Sequence, residues 1–104
     1  MQFFTTEQVP GMEIVEVHGL VSASVVRSKN VFKDLGASLK SIVGGELRSY
    51  TDLMKDAREN VLRSLTAQAA GMGANAVICL RMTTSQIMAG ASEIYAYGTA
   101  VTIK

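Results

Sequence analysis

The sequence is poor in the residues that most often carry chemistry. It contains one cysteine, one histidine, one proline and no tryptophan in 104 residues. A single cysteine excludes an internal disulfide framework and is typical of a reducing compartment. The spacings Cys-x-x-Cys, His-x-His and His-Glu-x-x-His do not occur, and neither does the phosphate-loop pattern with its lysine. The motifs of a self-contained metal centre and of a nucleotide-binding loop are therefore missing from this sequence.

An excess of charge of one sign is missing as well. Ten basic and nine acidic residues are interleaved and give a formal net charge of +1. Such a balance creates no field that favours nucleic acid or anionic lipid. No segment reaches the about 18 consecutive apolar residues that a membrane helix needs, and the first residues lack the features of a signal peptide. We expect a cytoplasmic protein without a nucleic-acid or membrane partner.

Hydrophobic residues, in contrast, are plentiful. They make up 48% of the chain, whereas charged residues make up 18%. A chain of this length is expected to form one domain, covering residues 1–104. A small domain with so many apolar residues has more apolar surface than one core absorbs, and contact with other copies of itself covers the excess. The composition therefore favours self-association.

Periodicity predicts four strands and two helices. Strands are expected at Phe3–Thr6, Glu13–Arg27, residues 75–85 and residues 92–103, where β-branched residues alternate with others. The second strand is long, so we expect either a bulge at Gly19 or a strand that projects beyond its own sheet. Alternation places Val15, Val17, Val21 and Val25 on one face and Glu16 and His18 on the other. Helices are expected from Asn30 to Gly44-Gly45 and from Ser49 to Gly73. This order predicts a two-layer α+β fold, an antiparallel sheet with both helices on one face.

The last strand separates small side chains from large ones. Ala96, Gly98 and Ala100 share one face, where their size allows a helix to approach closely. The other face carries Tyr95, Tyr97, Val101 and Ile103, and no element of the predicted fold covers it. We therefore expect a neighbouring subunit to cover this second face.

Several short motifs occur together along the chain. They are Ile42-Val43-Gly44-Gly45, Tyr50, Ala57-Arg58-Glu59, Gly73-Ala74-Asn75-Ala76-Val77 and Gly98-Thr99-Ala100-Val101. Nearly the whole chain thereby resembles the YbjQ-like family of small bacterial and archaeal proteins, which is biochemically uncharacterised and labelled heavy-metal-binding. The resemblance implies a dodecin-like subunit assembled into a ring-shaped homo-oligomer, a pentamer. The chain departs from the family pattern at Cys79, where relatives commonly have glycine.

Few residues in the sequence are suited to bind a metal ion. His18 and Glu16 are two residues apart on a strand and could supply two ligands per subunit, which copies around a symmetry axis would complete. Cys79 is a weaker candidate, and Met82 and Met88 could contact Cu(I). Each has a plainer interpretation: His18 as a surface or interface residue, Cys79 as a small apolar residue, and the methionines as packing residues. No cofactor is established by the sequence, and a metal ion is the alternative left open.

The polar residues Arg58 and Tyr50 are the remaining candidates, for a small-ligand site at a subunit interface. Their structural alternatives are an ion pair of Arg58 with Asp34 or Asp52 and a packing role for Tyr50. No nucleophile, base and acid are placed together by the sequence, so we do not expect an enzyme. Three hypotheses follow in order of preference: a structural or binding homo-oligomer, a metal-binding oligomer, and an interface ligand site.

Overall fold

The computed structural model shows a four-stranded sheet with a long helix packed on one face. It describes residues 1–28 and 45–104, and the side chains of residues 1–28 and 51–104. The elements are β1 (Gln2–Phe3), β2 (Ile14–Ser28), α1 (Gly45–Gly71), β3 (Ala76–Met88) and β4 (Ala91–Ile103). The strand order in the sheet is β1-β3-β4-β2. The α+β class is confirmed.

The sheet is mixed, which corrects the expected antiparallel arrangement. β4 runs antiparallel to both β2 and β3, whereas β1 pairs with β3 in parallel, with Gln2 opposite Ala76. No hairpin joins β1 to β3, so nothing in the connection forces the antiparallel direction. β1 is also shorter than predicted, although Phe4 continues the pairing with β3. Its N–H donates to Val77 O at 2.8 Å, and its carbonyl accepts from Leu80 N–H at 3.0 Å.

The bulge predicted at Gly19 is confirmed. The register of β2 against β4 shifts between Val17 and Gly19, and Gly19 has a φ of 126°. A bulge inserts one residue into a strand and reverses the alternation of side chains beyond it. The prediction that Val17 shares a face with Val21 is therefore wrong: Val17 is exposed, and Val21 is buried under the helix.

Helix α1 begins earlier than predicted and ends where predicted. Gly45, expected to end a first helix, is the first residue of α1, so Ser49 lies inside the helix and not at its start. At the other end Gly73 has a φ of 89°, and Ala74 N–H donates to Ala69 O at 3.0 Å, which is the glycine cap expected there. The predicted first helix and Gly44 lie outside the described residues. No helix in the described ranges is long and apolar enough to cross a membrane.

The main core lies between α1 and the sheet. One stripe of the helix is fully buried, and it packs against small or β-branched residues of β2 and β4. Its helical members are Ala57, Val61, Leu65 and Ala69, and the sheet contributes Val21, Ile94, Ala96 and Ala100. The prediction that Ala96 and Ala100 lie under a helix is thus confirmed.

Gly98 serves a different contact from the one predicted. A Cβ atom added there would lie 2.6 Å from Val77 Cγ1 and 3.1 Å from Ile78 O, both on β3. The β3 register shifts between Ile78 and Arg81, directly opposite Gly98. The missing side chain therefore makes room for a bulge in the neighbouring strand and not for the helix.

The second face of the sheet is covered over part of its length by the chain itself. A smaller buried cluster on this face consists of Ala76, Ile78, Val101 and Ile103. It is covered by Phe4 and Val9 of the N-terminal segment and by Ile14, the first residue of β2. The expectation that this whole face is bare is therefore wrong at Val101 and Ile103. The tyrosine half of the face has no such cover among the residues described.

Candidate functional site

His18 lies where the bulge of β2 meets the C-terminal end of α1. The bulge turns its side chain toward the helix, where His18 Cε1 lies 3.8 Å from the position of a Cβ on Gly73. Its Nε2 is 2.7 Å from Thr102 Oγ1, and Thr102 Oγ1 is 3.3 Å from Gly73 O. The side chain is largely buried, with 12% of its surface exposed.

One arrangement of the hydrogen atoms satisfies both contacts of Thr102. The hydroxyl of Thr102 has one hydrogen, and Gly73 O can only accept. If Thr102 donates to Gly73 O, its oxygen must accept from His18, so Nε2 carries the proton in this arrangement. The imidazole then joins β2 to β4 and to the helix end, and its Nδ1 is not used in this chain of bonds.

Glu16 is the acidic residue that the structure brings to His18. Its Oε2 lies 3.9 Å from His18 Nε2, as expected from their positions in the strand, and the Glu16 side chain is 66% exposed. These two side chains offer at most two ligands, whereas a heavy-metal site usually needs three or four. No three His, Cys, Asp or Glu side chains converge among the residues described. One chain, as far as it is described, does not contain a complete heavy-metal site.

Cys79 does not complete such a site. It packs, half-buried, against the cluster of Ala76 and Val101 on the second face of the sheet, whereas His18 lies on the helix side. The two candidate ligands are therefore separated by the sheet within one subunit. Cys79 is also in the left-handed region, with a φ of 54°. This is the conformation that glycine adopts without strain, whereas a residue with a Cβ atom is strained in it.

The two methionines named from the sequence lie apart. Met82 packs partly buried against the main core, while Met88 is exposed at the end of the β3–β4 hairpin. Six residues of extended chain separate them by about 20 Å. They cannot bind one metal ion within a single chain.

Arg58 and Tyr50 are both on α1, but their predicted site is not formed by the described side chains. Arg58 is exposed and makes no salt bridge with Asp52. Asp34 and the side chain of Tyr50 lie outside the description. An interface site for a small ligand stays a prediction.

The structure reveals an apolar surface that the sequence only partly indicated, and we call it the open-face patch. Its members are Val17 (64% exposed), Leu20 (68%), Val26 (48%) and Tyr97 (40%). Tyr97 belongs to β4, and the other three lie on β2 and pair with β4 residues. All four side chains lie on the face away from α1. Tyr95 extends the patch, and its ring centroid is 5.6 Å from that of Tyr97. Placing Val17 here required knowledge of the reversal that the Gly19 bulge produces.

The motifs around this region have defined structural roles. Asn75 does not take a left-handed conformation; its side chain pairs with Ile103, donating to the carbonyl and accepting from the N–H, both at 2.8 Å. Ala74 and Ala76 beside it are buried, and Thr99 is half-buried in the middle of β4. The Gly73–Ala76 turn therefore fixes the end of the helix against the last strand.

Comparison with known proteins places this chain among small proteins of matching length. A protein named "UPF0145 protein" from Shewanella frigidimarina is 52% identical over 101 residues, covering 97% of this chain and 94% of the relative. A protein of the same name from Archaeoglobus fulgidus is 50% identical over 100 residues, covering 96% and 93%. A crystal structure of a protein of unknown function from Pediococcus pentosaceus, in the DUF74 family, has a similar fold, with a TM-score of 0.67.

That structure covers 100% of this chain and 98% of its own, and at 15% identity the similarity concerns the fold alone. The model of the YbjQ family, described as "Putative heavy-metal-binding", matches residues 1–104. The motifs from Gly44 to Ala100 predict this same family, and the prediction is confirmed. The chain therefore belongs to the YbjQ family.

Proposed function

We propose that this protein is a non-catalytic homo-oligomer with a structural or binding role, and that its subunits meet through the open-face patch. The observation that carries the proposal is the exposure of Val17, Leu20, Val26 and Tyr97 on one sheet face. A helix covers the first face, and the N-terminal segment covers only part of the second. The patch is the part for which the described chain supplies no cover.

The chemistry of the patch favours a second copy as the partner. A cluster of exposed apolar side chains on a regular sheet marks a protein contact surface. Ser22 and Ser24 of β2 lie opposite Tyr97 and Tyr95, and the charged neighbours are one acid, Glu93 opposite Val26, and one base, Arg81 opposite Tyr97. A surface with one charge of each sign at its margin has no net charge that would repel its own copy.

The arrangement of the copies follows from the family resemblance, which implies a closed ring of five. A ring uses two different surfaces of each subunit, so the patch would contact another part of the neighbour. We place the assembly in the cytoplasm, because the lone cysteine is free and suits a reducing compartment.

Native mass spectrometry and light scattering test this proposal directly. Wild-type protein at micromolar concentration should form one species of five chains, and Leu20→Lys should reduce it to smaller species while the far-ultraviolet spectrum is unchanged. Met12→Lys is the control, because Met12 is also exposed, at 44%, and lies outside the patch. A wild-type monomer, or equal effects of both variants, would contradict the proposal.

A second candidate function is metal binding by residues shared between subunits. The observation that favours it is the pair of His18 and Glu16, 3.9 Å apart, in a family described as heavy-metal-binding. The two side chains are insufficient alone, so copies around a symmetry axis would have to supply the remaining ligands. Glu16 lies beside Nε2, so binding of one ion by both residues would require His18 Nε2 to release its bond to Thr102.

Calorimetric titration of the oligomer with zinc, copper(I) and cadmium decides this alternative. Binding should be lost in His18→Ala and retained in Cys79→Ser, because Cys79 lies on the other side of the sheet. Absence of heat above the buffer control in the wild type, or equal binding by His18→Ala, would exclude it.

A further inference from the structure

The outer edge of β2 is an unusual surface because it is long and carries apolar side chains. β2 pairs with β4 on one side, and no described strand pairs with its other side. Its fifteen residues include the exposed Val15, Val17, Leu20 and Val26. Edges of this kind readily accept a strand from another chain, which leads to unlimited association. A protein with such an edge needs a feature that prevents strand addition.

One side chain from the helix occupies the middle of the edge. Gln68 Nε2 donates to Ser22 O at 2.7 Å, and Ser22 N–H donates to Gln68 Oε1 at 3.3 Å. Ser22 is thus paired by the amide at both backbone groups, which shows that these groups point away from β4. A neighbouring strand would offer the same donor and acceptor. The amide of Gln68 therefore takes the place of one residue of an incoming strand.

The position of Ser22 makes this single contact effective. On its N-terminal side the ladder is already irregular, with register shifts between Ile14 and Glu16 and between Val17 and Gly19. On its C-terminal side only residues 23–28 are left as regular strand. A partner strand could not form a continuous ladder along β2 unless it displaced Gln68. Bulges and blocked edge groups are the devices that proteins use against edge pairing.

Gln68 is well placed to bind the edge of β2, and it is not one of the residues that form the main core. It is exposed on α1, next to the fully buried Ala69, and its Nε2 lies 3.5 Å from Ser64 Oγ. The core stripe anchors the helix beside β2, so the amide reaches the strand edge at little cost in side-chain freedom. Asn75 pairs with Ile103 in the same two-bond manner, but there it extends the existing contact of β3 with β4.

We propose that Gln68 is an autoinhibitory edge guard, which blocks addition of a β-strand from a second copy of this chain to β2. The guard confines association to surfaces other than this edge. It goes beyond the proposed oligomer, because it states which contact between copies is prevented. The proposal is independent of how many chains the wild-type particle contains.

The test compares Gln68→Ala with Gln86→Ala, which removes an exposed amide from β3. Alanine favours the helix, so α1 should persist in Gln68→Ala. A second variant, Gln68→Asn, keeps the amide but shortens the side chain by one methylene group. Hydrogen exchange is read at residues 20–28 over a range of concentrations, together with the sedimentation coefficient. In dilute Gln68→Ala the Ser22 amide should exchange about tenfold faster than in the wild type, because it loses one exposed hydrogen bond.

On concentration, Gln68→Ala should grow beyond the wild-type mass while exchange in residues 20–28 slows again, and Gln86→Ala should behave as wild type. The guard is refuted if Gln68→Ala and Gln68→Asn keep the wild-type mass at every concentration. It is also refuted if their mass grows without slower exchange in β2. A monomeric wild type would contradict the proposed oligomer but not the guard, because the guard is measured as the difference between variant and wild type.

Discussion

The two faces of the sheet show how differently one strand can be used on its two sides. Beneath α1, Val21 of β2 is almost completely buried and packs with Leu65 and Ala96. On the reverse side of the same strand, Leu20 and Val26 are about half exposed or more, at 68% and 48%. The helix face is a finished core, whereas the open face leaves apolar side chains exposed between serine and tyrosine hydroxyls. The comparison teaches that β2 stabilises the fold through one face and leaves apolar side chains exposed on the other.

The largest expected difference is between truncations on the two faces. Leu65→Ala removes a fully buried side chain and should lower the free energy of unfolding by about 2–5 kcal/mol. Leu20→Ala removes an exposed side chain of similar size and should change the stability of the isolated subunit by less than about 0.5 kcal/mol. Urea titrations at several protein concentrations measure both values, because a contact between copies makes stability concentration-dependent.

The outcome would also show whether the open face is covered. If copies meet there, Leu20→Ala should lose stability mainly at high protein concentration, where wild-type subunits associate. An equal loss at every concentration would mean that Leu20 acts within the subunit, and the distinction between the faces would be wrong.

A second, smaller loss of stability is expected at Gly98, where β4 packs closely against β3. The 2.6 Å approach to Val77 Cγ1 leaves no space for a methyl group, and Val77 is itself fully buried. Gly98→Ala should therefore lower the free energy of unfolding by about 1–3 kcal/mol through overpacking. Ala100→Gly is not a suitable control because it creates a cavity, but Gly71→Ala is suitable, since no atom lies within 4 Å of its added Cβ. A tolerated Gly98→Ala would contradict the close packing of β3 on β4.

Much of the fold could be predicted from the sequence, because periodicity and turn residues act locally. β2 and β4 were placed to within a residue or two, and the cap at Gly73 and the bulge at Gly19 were both predicted. The parallel direction of β1 could not be predicted, because it depends on a distant contact with Ala76 and not on a turn. The start of α1 was misplaced because Ser49 looks like a cap regardless of whether the preceding residues are helical.

The candidate site was less predictable, because it depends on which face each side chain occupies. The proximity of His18 and Glu16 follows from their spacing in a strand. The separation of His18 from Cys79 by the sheet required the two bulges, which lie in different strands. The pairing of Gln68 with Ser22 joins residues 46 positions apart, and no local pattern in the sequence indicates it.

The smallest effect on stability is expected at Cys79, on the second face of the sheet, where replacement by glycine should relieve backbone strain. A φ of 54° costs a residue with a side chain about 1–2 kcal/mol relative to glycine, and glycine in turn loses more backbone freedom on folding. Relative to Cys79→Ala, which loses the same thiol contact, Cys79→Gly should therefore raise the free energy of unfolding by about 0.5–1 kcal/mol after both effects are combined. Cys79→Ala is the matched control, because it removes the thiol and keeps the Cβ atom. If Cys79→Gly is no more stable than Cys79→Ala in urea, the left-handed backbone at this bulge is not strained.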